Sequence, residues 1–478
     1  MNRTFPAIVF ALLFSGAPCH AAPAAKMNVL FLAVDDLRPV LGCYGDALAQ
    51  TPNLDRLAAS GVRFDRAYCQ QAVCAPSRNT LMTGLRPESI GIHDLGTYFR
   101  TKNPDAVTLP EHFKAHGYTT ARFGKLFHTG HGNQDDARSW TGAKPTSADV
   151  VAAGKKNTKQ AMAQKQTRPP AAAPEVDRNA LADGENTTAA IAKLRELKDT
   201  PFFLALGFIK PHLPFVAPKS YWDQFDRARF PLPKHRTPPA NTPRDAFRGA
   251  GELLSYAVTQ EELTEDKIRE LIHGYYAATS YIDAQAGRIL AELDRLGLAE
   301  KTIVVFWSDH GFQLGEHGQW AKHNNTELSA RIPLIVRAPG KTKAGASTRA
   351  LVETVDLYPT LSELAGLPMR AELEGTSFAP LLADPTRAWK SAAFSVWPVR
   401  ERNVPGRPAD AGLGRSMRTA RYRFTEWGAP GKGELELYDH DRDPEEHINL
   451  AADPANSALV AQLRTQLQAG WRAAKPKS

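Results

Sequence analysis

The sequence predicts an α/β protein: a large, mostly parallel sheet covered by helices on both faces, with a smaller C-terminal antiparallel α+β domain. Three observations carry that prediction. β-rich apolar runs recur as far as Leu382, helical periodicity lies between them, and beyond Leu382 the pattern breaks into short β-rich pieces before a last amphipathic helix. Strands alternating with helices favour parallel pairing, and such sheets gather ligands at the C-terminal ends of their strands.

The first strand is read from Met27 to Val34, an apolar run that ends on Asp35 and so delivers a carboxylate from its tip. Runs at Tyr118 to Phe123, Pro201 to Phe208, Thr302 to Trp307 and Ile332 to Val336 are read the same way, with Asp309 just past the Thr302 to Trp307 run. The clearest helix carries Ile268, Leu271, Ile272, Tyr275, Thr279, Ile282, Ala286, Ile289 and Leu293, a spacing that keeps one apolar face over many turns. The small domain is read from pieces at Ala393 to Trp397, Ser416 to Thr419, Arg421 to Trp427 and Glu434 to Tyr438, followed by a helix at Ala458 to Trp471. These readings divide the chain into residues 27–385 and 386–478. Residues 135–185, rich in Ala, Lys, Gln and Pro, are expected to form a variable surface insert.

Arg3, the apolar run from Phe5 to Phe14 and the small residues after it read as a signal peptide over residues 1–22. The run is too short to span a bilayer, so the expectation is a periplasmic or secreted protein with no stable membrane insertion. At 478 residues, 42% hydrophobic and 23% charged, the composition is ordinary for a globular chain. The net charge of +8 suits an anionic substrate, but its Lys and Arg are scattered, which argues against nucleic acid as a partner.

Three sequence-distant clusters carry the chemistry: Asp35-Asp36, Asp309-His310-Gly311, and Cys74-Ala75-Pro76-Ser77-Arg78 with Leu81-Met82-Thr83-Gly84 behind it. A doublet of acids at a strand end is hard to explain by packing. Asp35, Asp36, Asp309 and His310 offer three carboxylates and one imidazole, and crowded carboxylates need a cation to offset their repulsion. The oxygen-rich set favours Ca²⁺, while His310 leaves room for a transition metal. Glu316 and His317 are set aside as ligands because no second donor set accompanies them.

In their order along the chain, Asp35-Asp36, Cys74 to Arg78, Gly124-Lys125 and Ser308-Asp309-His310-Gly311 resemble the type I sulfatases of the alkaline-phosphatase-like superfamily, over nearly the whole chain beyond the signal peptide. Gln70 to Cys74, Gly124 to His128, Lys210-Pro211-His212-Leu213-Pro214-Phe215 and Leu314 to Lys322 resemble the iduronate-2-sulfatase branch. His310 does too, since many sulfatases have Asn there. Phe312 and His323 depart from the Trp and Tyr of that branch, which leaves substrate size and sulfation pattern open.

The resemblance implies that Cys74 is oxidised to formylglycine by a formylglycine-generating enzyme, and that its hydrate joins Asp35, Asp36, Asp309 and His310 around the cation and attacks sulfur. It further implies that Arg78 holds the modified side chain, that Lys125 and Lys322 bear on the sulfate oxygens, that His128 is the base releasing sulfate, and that His212 is the acid for the leaving group. Cys43 and Cys69 then remain as a pair or as two buried thiols. The implied activity is hydrolysis of 2-O-sulfate from iduronate or a related uronate in glycosaminoglycan fragments, with sulfated oligosaccharides as partners. A phosphonate or phosphate monoesterase and an unmodified, non-catalytic sulfated-glycan binder are the alternatives.

Overall fold

The computed structural model describes residues 26–142, 168–247, 251–399 and 412–476; the expected signal peptide lies outside them. In chain order the strands are β1 (Asn28–Asp35), β2 (Val62–Tyr68), β3 (Thr119–Gly124), β4 (Ala171–Ala172), β5 (Phe202–Pro211), β6 (Phe215–Val216), β7 (Thr302–Ser308), β8 (Arg331–Arg337), β9 (Ala346–Thr348) and β10 (Val352–Glu353). The large sheet runs β10-β2-β8-β7-β1-β5-β3, with β9 against β2. Only β8 runs against its neighbours, β7 and β2; the other pairings are parallel.

Every residue of β1 and of β7 is buried, as strands at the centre of a sheet covered on both faces must be. Alternate side chains point to opposite faces. Leu30, Leu32, Val34, Val304 and Phe306 enter one core, capped by the Glu265–Arg295 helix through Leu271, Tyr275 and Ile282. Val29, Phe31, Ala33, Ile303, Val305 and Trp307 enter the other, with Leu81 and Met82 of the Cys74–Thr83 helix.

Strands β11 (Ala393–Pro398), β12 (Leu413–Arg418), β13 (Tyr422–Trp427) and β14 (Glu434–Asp439) form a separate antiparallel sheet in that order. The Ser457–Ala473 helix covers it, burying Leu463 and Leu467 with Met417, Phe424 and Leu437. This unit is tied to the segment just before Cys74, because Val396 N donates to Gln70 O at 2.7 Å and Ser395 Oγ to Cys69 O at 2.6 Å. Arg418 and Arg423 also reach across to Glu327.

One end of the expected surface insert is packed rather than projecting. Residues 143–167 lie outside the described residues, but Ala171–Ala172 pair with Phe215–Val216, and the Ala182–Glu196 helix begins inside the stretch. Asp183 at its start is buried and accepts the amides of Ile209 and Lys210 at 2.8 and 3.0 Å, which secures the end of β5. Among the described residues, no helix is long and apolar enough to cross a membrane. Cys43 and Cys69, whose pairing the sequence left open, stand as separate thiols.

Candidate active site

Because β1 and β7 are parallel neighbours with Val34 opposite Ser308, their C-terminal ends bring Asp35 and Asp309 side by side. Both are fully buried, as are Asp36 and His310. The chain turns sharply at Asp36, whose φ of 64° is in the left-handed region that L-residues seldom occupy. Hydrogen bonds hold that turn. Asp309 Oδ1 accepts the amides of Asp36 and His310 at 3.1 and 3.0 Å, and Ser308 Oγ accepts that of Leu37 at 3.0 Å. From the long helix, Tyr275 OH donates to Asp36 O at 2.6 Å and accepts Arg38 N at 3.0 Å.

Cys74 is the first residue of a helix that is buried throughout, and its Sγ lies 3.4 Å from Asp35 Oδ1, 3.4 Å from His310 Nε2 and 3.5 Å from Lys125 Nζ. One turn on, Arg78 donates to Asp309 Oδ2 at 2.8 Å, to Asp35 Oδ1 at 3.0 Å and to the carbonyl of Lys125; Ser77 Oγ donates to the carbonyl of Asp309. His310 Nδ1 lies 2.9 Å from Gly311 O, an acceptor only, so Nδ1 donates there and Nε2 is the nitrogen turned toward the cysteine and the acids.

These groups fit a hard divalent cation. Ligand atoms of Asp35, Asp36, Cys74 and His310 lie within 4.8 Å of one another, all on buried residues. Asp309 is beside them, with Oδ1 3.5 Å from His310 Nε2, but its oxygens also serve Arg78 and two amides. Such a concentration of buried acid demands positive charge. Burial opposes ionisation of Asp35, yet Lys125, in ion-pair contact with it, and Arg78 outweigh burial and hold its carboxyl well below the usual range. Burial and then Asp35 push the Cys74 thiol up.

The remaining sequence-predicted residues ring this centre. Lys322 Nζ sits 2.9 Å from Asp36 Oδ2 and 2.6 Å from Glu252 Oε2. His212, the first residue after β5, places Nε2 3.1 Å from Glu252 Oε1 and 4.0 Å from Asp36 Oδ2. His128 lies farther out, with Nε2 3.2 Å from His131 Nδ1 and a buried Nδ1 that has no hydrogen-bond partner among the described residues. Burial, then the nearby Lys125, push its imidazole down to about 3, so it is neutral. Glu316 pairs with Arg38 at 2.7 Å, away from the cation cluster. Phe312 is buried against Tyr275.

Sequence reasoning missed Glu252 and the hydroxyl of Tyr275. Glu252 stands in a Gly-flanked stretch with no motif around it, and no local signal marks it. Tyr275 was legible only as one apolar position of a helix face.

A family model described as Sulfatase matches residues 27–367, and one described as N-sulphoglucosamine sulphohydrolase, C-terminal, matches residues 315–472. The iduronate 2-sulfatase of Mus musculus is 33% identical over 95% of this chain and 95% of its own. A sulfatase of Formosa agariphila is 31% identical over 92% of this chain and 86% of its own. Among solved structures, the phosphonate monoester hydrolase of Agrobacterium radiobacter superposes with a TM-score of 0.78 at 24% identity, covering 93% of this chain and 96% of its own, a likeness of fold.

Proposed function

The chain belongs to the sulfatase family, and from that premise we propose that it is a formylglycine-dependent sulfatase acting on 2-O-sulfate esters of iduronate, or a related uronate, in glycosaminoglycan fragments. The observation that carries the reading is the setting of Cys74, with its Sγ 3.4 Å from both Asp35 Oδ1 and His310 Nε2. As a thiol it is a poor nucleophile here, because burial and Asp35 keep it protonated. Formylglycine at position 74 would supply, as its hydrate, an oxygen nucleophile, and Ca²⁺ held by Asp35, Asp36, Asp309 and His310 would supply the charge that lowers the pKa of that hydrate.

The chain's own side chains account for the rest of the requirements. A sulfate monoester is an anion with a poor alkoxide leaving group, so the site must neutralise charge and move protons. Lys125 and Lys322 flank position 74 and bring two ammonium groups to the sulfate oxygens. Arg78 fixes Asp35 and Asp309 from behind and is too deeply buried to meet substrate. His212, whose Nε2 lies 4.0 Å from Asp36 Oδ2, donates to the leaving oxygen. His128, neutral and beside Lys125, accepts the proton that releases sulfate.

Export to the periplasm or medium, and conversion by a formylglycine-generating enzyme, belong to the same reading. Turnover of defined saturated and unsaturated 2-O-sulfated disaccharides, with Cys74→Ala as control, tests it. Conversion itself reads out in peptide mass spectrometry as a loss of ~18 Da at position 74. Active protein carrying only the reduced thiol sinks the mechanism and leaves the glycan-binder alternative for inactive material. The fold shared with a phosphonate monoester hydrolase makes phosphoryl transfer the second reading. Dominant turnover of phosphate or phosphonate esters in a side-by-side assay would favour it.

A further inference from the structure

Glu252 joins two residues that the proposed function places on opposite ends of the sulfate ester. One of its oxygens meets His212 Nε2 at 3.1 Å and the other meets Lys322 Nζ at 2.6 Å. Asp36, His212 and Glu252 come within 4.8 Å of one another, a spacing that could hold a second cation. The Lys322 ammonium already supplies that charge, since it contacts both carboxylates at 2.6–3.0 Å.

The local chain is built to bring this carboxylate in. Gly251 adopts φ 56°, and a Cβ there would lie 2.8 Å from the Cβ of Ala321, the residue before Lys322. Leu253 is fully buried in the core that also takes Trp320. The short Gly251–Ser255 turn is thus anchored on one side of Glu252 and closely apposed on the other. Burial opposes its ionisation, but Lys322 and His212 outweigh that and hold it well below the usual carboxylate range.

The imidazole is fixed from both ends. His212 Nδ1 lies 2.6 Å from Leu213 O, and a carbonyl only accepts, so Nδ1 donates there and Nε2 is the nitrogen that meets Glu252. The Glu252 carboxylate, 3.1 Å from Nε2, fixes the rotation of the ring so that Nε2 also lies 4.0 Å from Asp36 Oδ2. We infer that Glu252 is a positioning residue for His212, holding the ring with Nε2 turned toward Asp36 and Lys322, where the leaving oxygen of the ester takes its proton. The inference rests on the proposed sulfatase reading.

An acid matters most when the leaving group is a poor one, and this separates the route through His212 from any other. The sugar alcohol of a 2-O-sulfated disaccharide needs a proton as it departs; 4-nitrophenolate does not. For Glu252→Gln, the ratio of kcat on the disaccharide to kcat on 4-nitrophenyl sulfate should fall at least about tenfold. His212→Ala should lower the same ratio, and adding Glu252→Gln to it should lower the ratio no further. An equal loss on both esters overturns the inference, since it points to Lys322 or to damage common to both reactions. So does a further fall in the double variant. Turnover of the aryl ester by Glu252→Gln reports that the variant is folded. Converted wild-type protein that hydrolyses neither ester sinks the sulfatase reading itself, a failure seen before any variant is made.

Discussion

Arg78 Nε donates to Asp309 Oδ2 across 2.8 Å, one helical turn beyond Cys74, with both side chains fully buried. The pair locks the Cys74–Thr83 helix to the end of β7, so residue 74 and the acid cluster are held as one rigid unit. Arg78→Met leaves Asp35 and Asp309 without their shared guanidinium. Breaking a buried pair this way costs about 3–5 kcal/mol, which urea denaturation of the variant should show. A loss below about 1 kcal/mol would mean the pair is not needed for folding.

Calcium should stabilise the protein through the same acids. Adding it to chelator-treated protein raises the melting temperature, by about 2.7 kcal/mol of binding free energy once free Ca²⁺ stands 100-fold above Kd. Asp36→Asn should shrink the rise, since that residue contributes a ligand atom to the cluster. An unchanged melting curve in wild type would remove the four donors from consideration as a calcium site.

Acid should weaken the fold partly through His323. Burial, and then the adjacent Lys322, push its imidazole from 6.5 down to about 3. The folded chain therefore holds fewer protons than the unfolded one between those values. The contribution is complete above 6.5 and is lost progressively as pH falls toward 3. His323→Phe, which keeps a ring against Trp397, should show a shallower fall of melting temperature between neutral and mildly acidic pH. Parallel curves for the two proteins would refute this assignment.

Gly124→Ala should disturb Lys125 without touching it. Gly124 has φ 69°, and a Cβ there would lie 1.9 Å from Gly207 O, the acceptor of Lys125 N. The strain and overlap are worth about 2–4 kcal/mol, so the melting temperature falls. Because Lys125 pairs with Asp35, KM for sulfate esters should rise as well.

Legibility in the sequence differed from residue to residue. The run ending at Asp35 and the run before Asp309 declare strands, because a buried strand must be apolar at nearly every position. Residues 168–185 were legible in part: 175–178 are exposed as a surface insert should be, but Pro and Ala in Arg168 to Pro174 gave no sign of a paired segment. Ala171–Ala172 pairing and the burial of Asp183 are settled by partners 26 residues or more away along the chain. His128 was legible as a conspicuous histidine after a strand; its contact with His131 and its suppressed basicity depend on burial that no spacing encodes.

By itself, the sequence determined the α/β architecture and the chemical types at the strand ends, because apolar periodicity and short motifs act over a few residues. Only the tertiary structure decided that Asp309 answers to Arg78, that Tyr275 secures the turn at Asp36, and that Glu252 lies between His212 and Lys322. Those pairings join side chains distant along the chain, and they exist because the packing of the sheet and its helices closes those distances to a hydrogen bond or an ion pair.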